Sequence, residues 1–187
     1  MAMKPKTRIL WMQLHAYIAC FFLPAAILYA ITGGLYMLGY EGGVKAEHEY
    51  HLELKGGWPE DKSEAKKIVV EQMAQRNHHE SVPDDYYLWE GKHDWFGFKR
   101  EVLLIPEEDG QVELKIIEHD FWKQLLLIHK GFAGKVLKVF SILWGLSLIF
   151  SQVSGVILAL AVKKIRVNSV VSIMLGLSFL VTSYFVG

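Results

Sequence analysis

Three long stretches of the chain contain no charged residue, and they limit its fold more than any other feature. Ile9–Leu38, Val139–Val162 and Val167–Gly187 are 30, 24 and 21 residues long and contain no Asp, Glu, Lys or Arg. About 20 apolar residues cross the hydrocarbon core of a bilayer as a helix. The first stretch has one alternative, a removable signal peptide, but the apolar region of such a peptide is only about 7–15 residues long. We therefore predict three transmembrane helices.

The charged residues are divided unevenly along the chain. Glu41–Lys123 contains all 20 acids and 11 of the 20 bases, a net charge of −9, whereas the remaining charged residues are all basic. All acids lie in this one segment, and the uncharged stretches lie on either side of it. This division predicts an acidic, water-exposed module held by membrane segments. A module that repels phosphates excludes a nucleic-acid partner. The single cysteine, Cys20, excludes a disulfide scaffold.

Basic residues near the ends of the spans predict the orientation in the membrane. They cluster before the first span and in the short run Lys163–Arg166 between the second and third spans. Because Lys and Arg mark the cytoplasmic side, both places should be cytoplasmic and the acidic module should be periplasmic. Lys130, Lys135 and Lys138 do not follow this rule, but long basic side chains can snorkel at the outer interface.

Sequence patterns inside the module predict a small α+β unit with an antiparallel sheet. A helix should start at Asp61 or Ser63 and run to about Arg76, because apolar residues recur there at helical spacing. Three segments are typical of strands, and turn residues at 106–110 separate the last two: Tyr86–Trp89, Phe96–Ile105 and Val112–Ile117. Three tryptophans are expected to contribute to a modest core: Trp58, Trp89 and Trp95.

These observations together divide the chain into six segments of a helical membrane protein with an inserted α+β module. The apolar and basic residues after Asp120 predict an amphipathic helix lying in the membrane interface. The expected segments are the cytoplasmic tail and first transmembrane helix (1–40), the acidic module (41–120), the interfacial helix and turn (121–135), the second transmembrane helix (136–162), a cytoplasmic turn (163–166) and the third transmembrane helix (167–187).

His15 is the most informative residue for function, because an ionisable group inside a membrane helix is costly and usually faces a partner or a cavity. At 100° per residue, four residues return to within about 40° of its direction: Ala19, Phe22, Ala26 and Gly33. This stripe of mostly small residues would allow close helix packing. His15 should therefore point into the helix bundle, where it would either hydrogen-bond another helix or ligate a metal.

His129 follows the predicted interfacial helix and is the other histidine close to the membrane. A bis-histidine haem needs two imidazoles that reach one iron from opposite faces. His15 should lie about 9 Å inside the cytoplasmic border, whereas His129 should lie near the outer border of a hydrocarbon core about 30 Å thick. The two are therefore not expected to share one haem, and a haem on His15 would need a ligand from a second copy or another protein.

Other polar residues point less clearly to chemistry. His48 and His51, with glutamates around them, could form a weak, exposed metal site, although solvated side chains are the simpler interpretation. Gln152 shares a face of the second span with small residues, which is typical of helix packing. The sequence contains no nucleophile elbow, P-loop, dinucleotide fingerprint or zinc pattern, so no self-contained catalytic site is predicted.

Two membrane motifs resemble the PepSY-associated transmembrane family, in which a periplasmic PepSY module is inserted between membrane helices. The run LHAYIACFFLPAAILYAITGGLYM is similar to the family's Leu-His, mid-helix Pro and late Thr-Gly pattern. The run LLLIHKGFAGKVLKVFSILWGLSLIFSQVSGVIL is similar to its His-basic-Gly turn and following helix with Ser-Gly. The resemblance covers nearly the whole chain and implies that His15 and His129 are candidate ligands of haem b.

The resemblance and the residues leave three functional hypotheses. The first is a non-catalytic inner-membrane subunit whose periplasmic module binds a partner, in a homo-oligomer or a hetero-oligomer. The second, implied by larger family members, is a haem-dependent electron-transfer protein that supports reduction of periplasmic ferric siderophores. The third, implied by PepSY modules in peptidase propeptides, is modulation of a peptidase. This chain is short and has only two membrane-associated histidines, which favours the first hypothesis.

Overall fold

A computed structural model describes residues 4–54, 56–107 and 110–187. Of the predicted turn at 106–110, Glu108 and Asp109 lie outside these described residues, as does the start of the predicted cytoplasmic tail. The elements in chain order are α1 (Pro5–Met37), β1 (Val44–Leu52), α2 (Lys62–Gln75), β2 (Asp85–Trp89), β3 (Lys92–Phe96), β4 (Arg100–Pro106), β5 (Val112–His119), α3 (Phe121–His129), α4 (Gly134–Ala161) and α5 (Lys163–Val186).

The three apolar stretches are helices, as predicted. Within the described residues, α1, α4 and α5 are the helices long and apolar enough to cross a membrane. The short basic run at 163–166 is not a separate turn: α4 ends at Ala161, Val162 has extended backbone angles, and Lys163 begins α5. Residues with good helix propensity follow Val162 directly, so a one-residue break is sufficient to separate the two helices.

The chain forms two compact units. One contains the chain up to Ala26 together with Ile142–Gly187, and the other is Ile27–Ser141. In the first unit α1 and α4 pack through aromatic rings: Trp11 stacks on Phe150 at a centroid distance of 5.9 Å, and Phe22 lies 6.1 Å from Trp144. Such ring contacts add to the van der Waals packing that holds membrane helices together.

The packed face of α1 follows a seven-residue repeat. Seven of its half-buried or buried positions are spaced alternately by four and three residues: Trp11, His15, Ile18, Phe22, Ala25, Tyr29 and Thr32. Such alternation is typical of the seam of a left-handed helix pair, whose period is 3.5 residues instead of the 3.6 of a straight helix. The other half-buried positions lie beside these seven: Ala26, Leu28, Gly33 and Leu35. The predicted stripe is therefore only partly correct: Phe22, Ala26 and Gly33 are half-buried, but Ala19 is exposed.

The packed face of α4 also differs from the prediction. Ser147 and Ser154, seven residues apart, are its buried residues, whereas Gln152 is exposed. Serines allow close approach of two helices and can direct their hydroxyl protons to their own helix backbone, so they are inexpensive to bury.

The module in the second unit is an antiparallel five-stranded sheet covered on one face by α2. The strand order is β1-β5-β4-β3-β2, so β2 to β5 form a meander and β1 pairs with its last strand. Asp61 caps α2 by accepting hydrogen bonds from the backbone N–H groups of Ser63 and Glu64. The core between helix and sheet contains Ala65, Val69, Met73, Trp95, Val102, Leu104, Leu114 and Ile116, each 0–1% exposed.

Two strands of this sheet, β1 and β3, were not predicted, and one predicted strand begins too early. Phe96–Ile105 is divided between β3 and β4, because the N–H of Gly97 donates to the carbonyl of Arg100 and turns the chain. A Cβ at Gly97 would lie 3.0 Å from Pro83, so glycine is needed at this turn. Of the expected core tryptophans, Trp95 is fully buried and Trp58 packs against the core, but Trp89 is 47% exposed.

The predicted interfacial helix is α3, and its two ends are well defined. Asp120 accepts from the N–H of Lys123 at 2.7 Å and from the N–H of Gly43 at 2.9 Å, which caps α3 and attaches it to the start of β1. At the other end Gly131 has a φ of +85°, and the N–H of Phe132 donates to Leu127, a glycine-terminated helix end. Leu126 and Leu127 are buried, as an amphipathic helix requires.

Candidate functional site

The first candidate residue, His15, contacts the second transmembrane helix through a hydroxyl. Its Nδ1 lies 2.8 Å from Oγ of Ser154, a fully buried serine of α4. The single hydroxyl proton of Ser154 points to the carbonyl of Ser151, 3.1 Å away on the same helix. Oγ is therefore left to accept, and Nδ1–H of His15 donates to it. Hydrogen bonding to another helix, one of the two alternatives that the sequence left open, is confirmed.

The second candidate residue, His129, is held in the same way at the end of α3. Its Nδ1 lies 2.7 Å from Oγ1 of Thr32 in α1. Thr32 directs its own proton to the carbonyl of Leu28 at 2.7 Å, so Nδ1–H of His129 is again the donor. The ring also packs against Tyr29 at a centroid distance of 4.7 Å. Burial, and then the positive charge of Lys130, lower the pKa of His129, which keeps the imidazole neutral.

Close packing of backbone against this ring explains one feature of the sequence. A Cβ built on Gly33 would lie 3.1 Å from Cε1 of His129. The Thr-Gly pair at 32–33 therefore has two functions: Thr32 supplies the acceptor and Gly33 supplies the space for the imidazole. Lys130 follows His129, and its Nζ lies 4.2 Å from the centre of the Tyr36 ring. This cation–π contact further fixes the end of α3.

A third pair repeats the arrangement with tyrosine as the donor. The hydroxyl of Tyr29 donates to Oγ of Ser141, and Ser141 donates to the carbonyl of Leu137 on its own helix. In all three pairs a serine or threonine is bonded back to its helix and accepts from a ring across the interface. Such bonds satisfy polar groups where water is scarce, so they stabilise helix packing.

The arrangement partly fits a haem. An axial imidazole needs Nε2 free and Nδ1–H bonded to an oxygen, which is the state of His15 and of His129. Among the described residues, neither Nε2 has a hydrogen-bond partner. However, the unit that contains His15 has no second histidine in its sequence, and a bis-histidine centre needs two. A haem at either site would therefore find one axial ligand and not a complete pair.

The histidines of the module do not form a metal site. His51 is three positions after His48 on β1. Because side chains alternate along a strand, the two histidines point to opposite faces of the sheet. His48 lies against His78, with 4.8 Å between ring centroids, whereas Nδ1 of His51 lies 3.0 Å from Glu107. The weak metal site considered from the sequence is therefore wrong. Within the described part of the chain, no three His, Cys, Asp or Glu residues are placed to hold a metal ion.

One buried histidine of the module is structural. His93 is fully buried on β3 and uses both ring nitrogens: Nδ1 lies 2.8 Å from the Tyr86 hydroxyl, and Nε2 lies 2.8 Å from the carbonyl of Pro59. The Pro59 carbonyl can only accept, so Nε2 carries the proton and Nδ1 accepts from Tyr86. Sequence reasoning missed this role because its partners are 7 and 34 residues away.

Two carboxyl groups on the other face of the sheet were also missed. Asp94 is 7% exposed, and its Oδ1 has no hydrogen-bond partner among the described residues. Burial raises the pKa of Asp94, and a hydrogen bond from Trp89 opposes this only in part. Burial and the nearby Asp94 charge raise the pKa of Glu101. These are the only acids with raised pKa values in the described chain, and they mark a low-dielectric patch on the sheet face opposite α2.

The two edges of the sheet differ in their side chains. β1 carries charged or polar residues along its outward face, Lys45, Glu47, Glu49 and His51. β2 exposes Tyr87, Leu88 and Trp89 by 46%, 58% and 47%. Edge strands that do not pair are usually protected by charge. β1 is protected in this way and β2 is not.

Comparisons of this chain with protein-family models, characterised proteins and solved structures found no match.

Proposed function

We propose that the protein is a membrane-anchored subunit that presents its α+β module to a partner polypeptide, with the unprotected edge strand β2 as the docking position. The observation that carries this proposal is the exposed Tyr87-Leu88-Trp89 segment on an edge whose counterpart, β1, is charged. A partner segment that adds as an extended strand would satisfy the free backbone groups of β2 and cover the three apolar side chains.

The organisation of the membrane part supports an anchoring role. The ring-to-hydroxyl bonds of His15 and His129 satisfy polar groups and hold helices together, which is what an anchor requires. The module has its own helix-covered core. In this proposal the membrane is the bacterial inner membrane, the module is periplasmic, and a peptidase is one class of partner that the PepSY resemblance implies.

A photo-crosslinking amino acid placed at position 88 tests the docking position in cells that contain the full-length protein. We expect a discrete adduct with another polypeptide, whose mass shows whether it is a second copy of this chain or a different protein. The matched control is the same amino acid at Glu49 on the charged edge. A Trp89→Lys substitution in the 88 variant should abolish the adduct. No adduct at position 88, or equal adducts at positions 88 and 49, would overturn the proposal.

A second candidate function is a b-haem electron carrier, and it is favoured by the hydrogen-bonded Nδ1 and free Nε2 of His15 and His129. A bound haem would transfer one electron at a time, and a second copy of the chain would supply the missing axial ligand. The test is an absorption spectrum of the protein purified from haem-sufficient cells. A Soret band that His15→Ala or His129→Ala removes supports this function, whereas colourless protein excludes it.

A further inference from the structure

A cleft lies between loops of the module and the segment that leads from α3 into α4. Its volume is about 740 Å³, within the range of small-molecule binding sites. The module wall includes Asp84, Asp85 and Lys99, and the opposite wall includes Lys135 and Lys138. All of these residues belong to the same compact unit, Ile27–Ser141.

The charges of this cleft are distributed unevenly between its walls. Two other charged lining residues neutralise each other, because Nη1 of Arg100 lies 3.1 Å from Glu80 and the Arg100 guanidinium lowers the pKa of Glu80 to about 2. Among the described residues, Asp84, Asp85, Lys135 and Lys138 form no ion pair. The module wall presents two carboxylates without an ion pair, together with Lys99, whose Nζ lies 5.7 Å from the centre of the Phe98 ring. The opposite wall presents two ammonium groups, and a ligand with both charges would match the cleft.

The apolar part of the cleft is aromatic and adjoins a membrane span. Phe96, Phe98 and Phe132 are half-buried lining residues, and the rings of Phe96 and Phe132 meet edge to face at 5.2 Å. Lys138 is followed by the 24 uncharged residues Val139–Val162. Lys135 and Lys138 therefore lie at the polar end of a transmembrane helix, the depth at which phospholipid headgroups lie.

We propose that this cleft binds the headgroup of a zwitterionic phospholipid of the phosphatidylethanolamine type. Lys135 and Lys138 bind the phosphate, Asp84 and Asp85 bind the primary ammonium group, and the three phenylalanines contact the glycerol and the first acyl carbons. An anionic lipid with an uncharged glycerol head would satisfy the lysines but leave both carboxylates without a counter-charge. The site adjoins β2 at Asp85 but does not include Tyr87, Leu88 or Trp89, and it would connect the module to the membrane surface.

Native mass spectrometry of the delipidated full-length protein, titrated with phosphatidylethanolamine or phosphatidylglycerol, tests the proposal. We expect tighter binding of phosphatidylethanolamine. Lys135→Gln with Lys138→Gln should weaken it by at least about tenfold, because the loss of even one hydrogen bond to a charged group has about that effect. Asp84→Asn with Asp85→Asn should remove the preference between the two lipids. The matched control is Lys163→Gln with Lys164→Gln, which removes the same charge at the start of α5, outside the cleft, and should change nothing.

Three results would overturn the proposal. The first is equal binding of the two lipids to the unaltered protein. The second is an equal loss in the control pair and the cleft pair, which would indicate general attraction of lysines to lipid. The third is binding of soluble phosphoethanolamine as tightly as the lipid, which would make the ligand a water-soluble molecule. Circular dichroism of each variant shows that folding is retained, so that a loss of binding can be assigned to the cleft.

Discussion

Nδ1 of His129 donates a hydrogen bond to Oγ1 of Thr32 over 2.7 Å, and this contact attaches the end of α3 to α1 across 97 residues of sequence. Thr32 is 3% exposed and uses its own proton on the carbonyl of Leu28. The bond therefore fixes both the tautomer and the orientation of the imidazole. It belongs to a set of three such bonds, in which His15 and Tyr29 are the other donors.

Replacing the acceptor tests the importance of this bond. Thr32→Val has nearly the same shape but leaves Nδ1–H of His129 without a partner, so we expect a loss of about 1–3 kcal/mol in the free energy of unfolding. Thr32→Ser retains the hydroxyl and should lose much less. Thermal unfolding in detergent, followed by circular dichroism, measures the difference. Equal stability of the Val and Ser variants would show that the hydrogen bond contributes nothing.

Gly42 should be one of the least replaceable residues outside the membrane. Its φ is +71°, and a Cβ there would lie 2.2 Å from the backbone nitrogen of Lys123. Gly42→Ala should therefore separate β1 from the capped start of α3, lower the melting temperature and expose the 120–123 region to proteases. Gly39→Ala is the matched control, because Gly39 also has a positive φ but its Cβ would meet nothing within 4 Å. Similar effects of both substitutions would contradict this assignment.

The buried carboxyl of Asp94 predicts a dependence of stability on pH. Because burial raises its pKa in the folded state, the folded state holds the proton more tightly than the unfolded chain, whose aspartates have pKa values near 3.9. The contribution of protonated Asp94 to the free energy of unfolding is therefore fully present below the pKa of the unfolded chain. It is lost as the pH rises through the higher pKa of the folded state. Asp94→Asn should therefore stabilise the protein at pH 7, by on the order of 1 kcal/mol.

The same substitution should have little effect at low pH, where Asp94 of the unaltered protein is protonated as well. Melting temperatures of the two proteins between pH 3.5 and pH 7.5 provide the measurement. Glu60→Gln is the control, because Glu60 is exposed and should change stability little at any pH. A destabilising effect of Asp94→Asn at neutral pH would mean that the charged form of Asp94 is needed in the folded state.

The orientation expected from the basic residues is tested by reporter fusions. A phosphatase that is active only outside the cytoplasm should be active after Gly187 and inactive when inserted after Lys164. Protease added to intact spheroplasts should cleave the module. Phosphatase activity after Lys164, or protection of the module from protease, would reverse the proposed orientation and leave the three helices themselves unaffected.

Much of the fold could be predicted because its signals are local. A transmembrane helix is defined by the summed hydropathy of about 20 neighbouring residues, and the cap of α2 by Asp61 and the amides that follow it within three residues. The predicted turn after the interfacial helix contains Gly131, a residue suited to the positive φ that ends α3. Each of these features depends on residues close together in sequence.

β1 and β3 were missed because their buried positions carry polar residues. His93 and Asp94 occupy the centre of β3, and burying His93 is acceptable only because Tyr86 and Pro59 meet its two nitrogens. On β1, His48 and Tyr50 lie on the face that leads to the core, so the alternation of apolar residues is weak. A pattern of hydrophobicity cannot show that a distant partner satisfies a buried polar group.

The candidate histidines show the same division. Composition and spacing alone predicted that His15 lies in a helix apolar enough to cross a membrane and that His129 lies at the end of an amphipathic helix. Only the tertiary structure decided that Ser154 and Thr32 are their partners, that Ala19 is outside the packed seam, and that the 80–85 and 131–138 segments form a cleft. Hydropathy and helix propensity sum over neighbours in sequence, whereas hydrogen bonds and packing join side chains that the chain brings together from more than 90 residues apart.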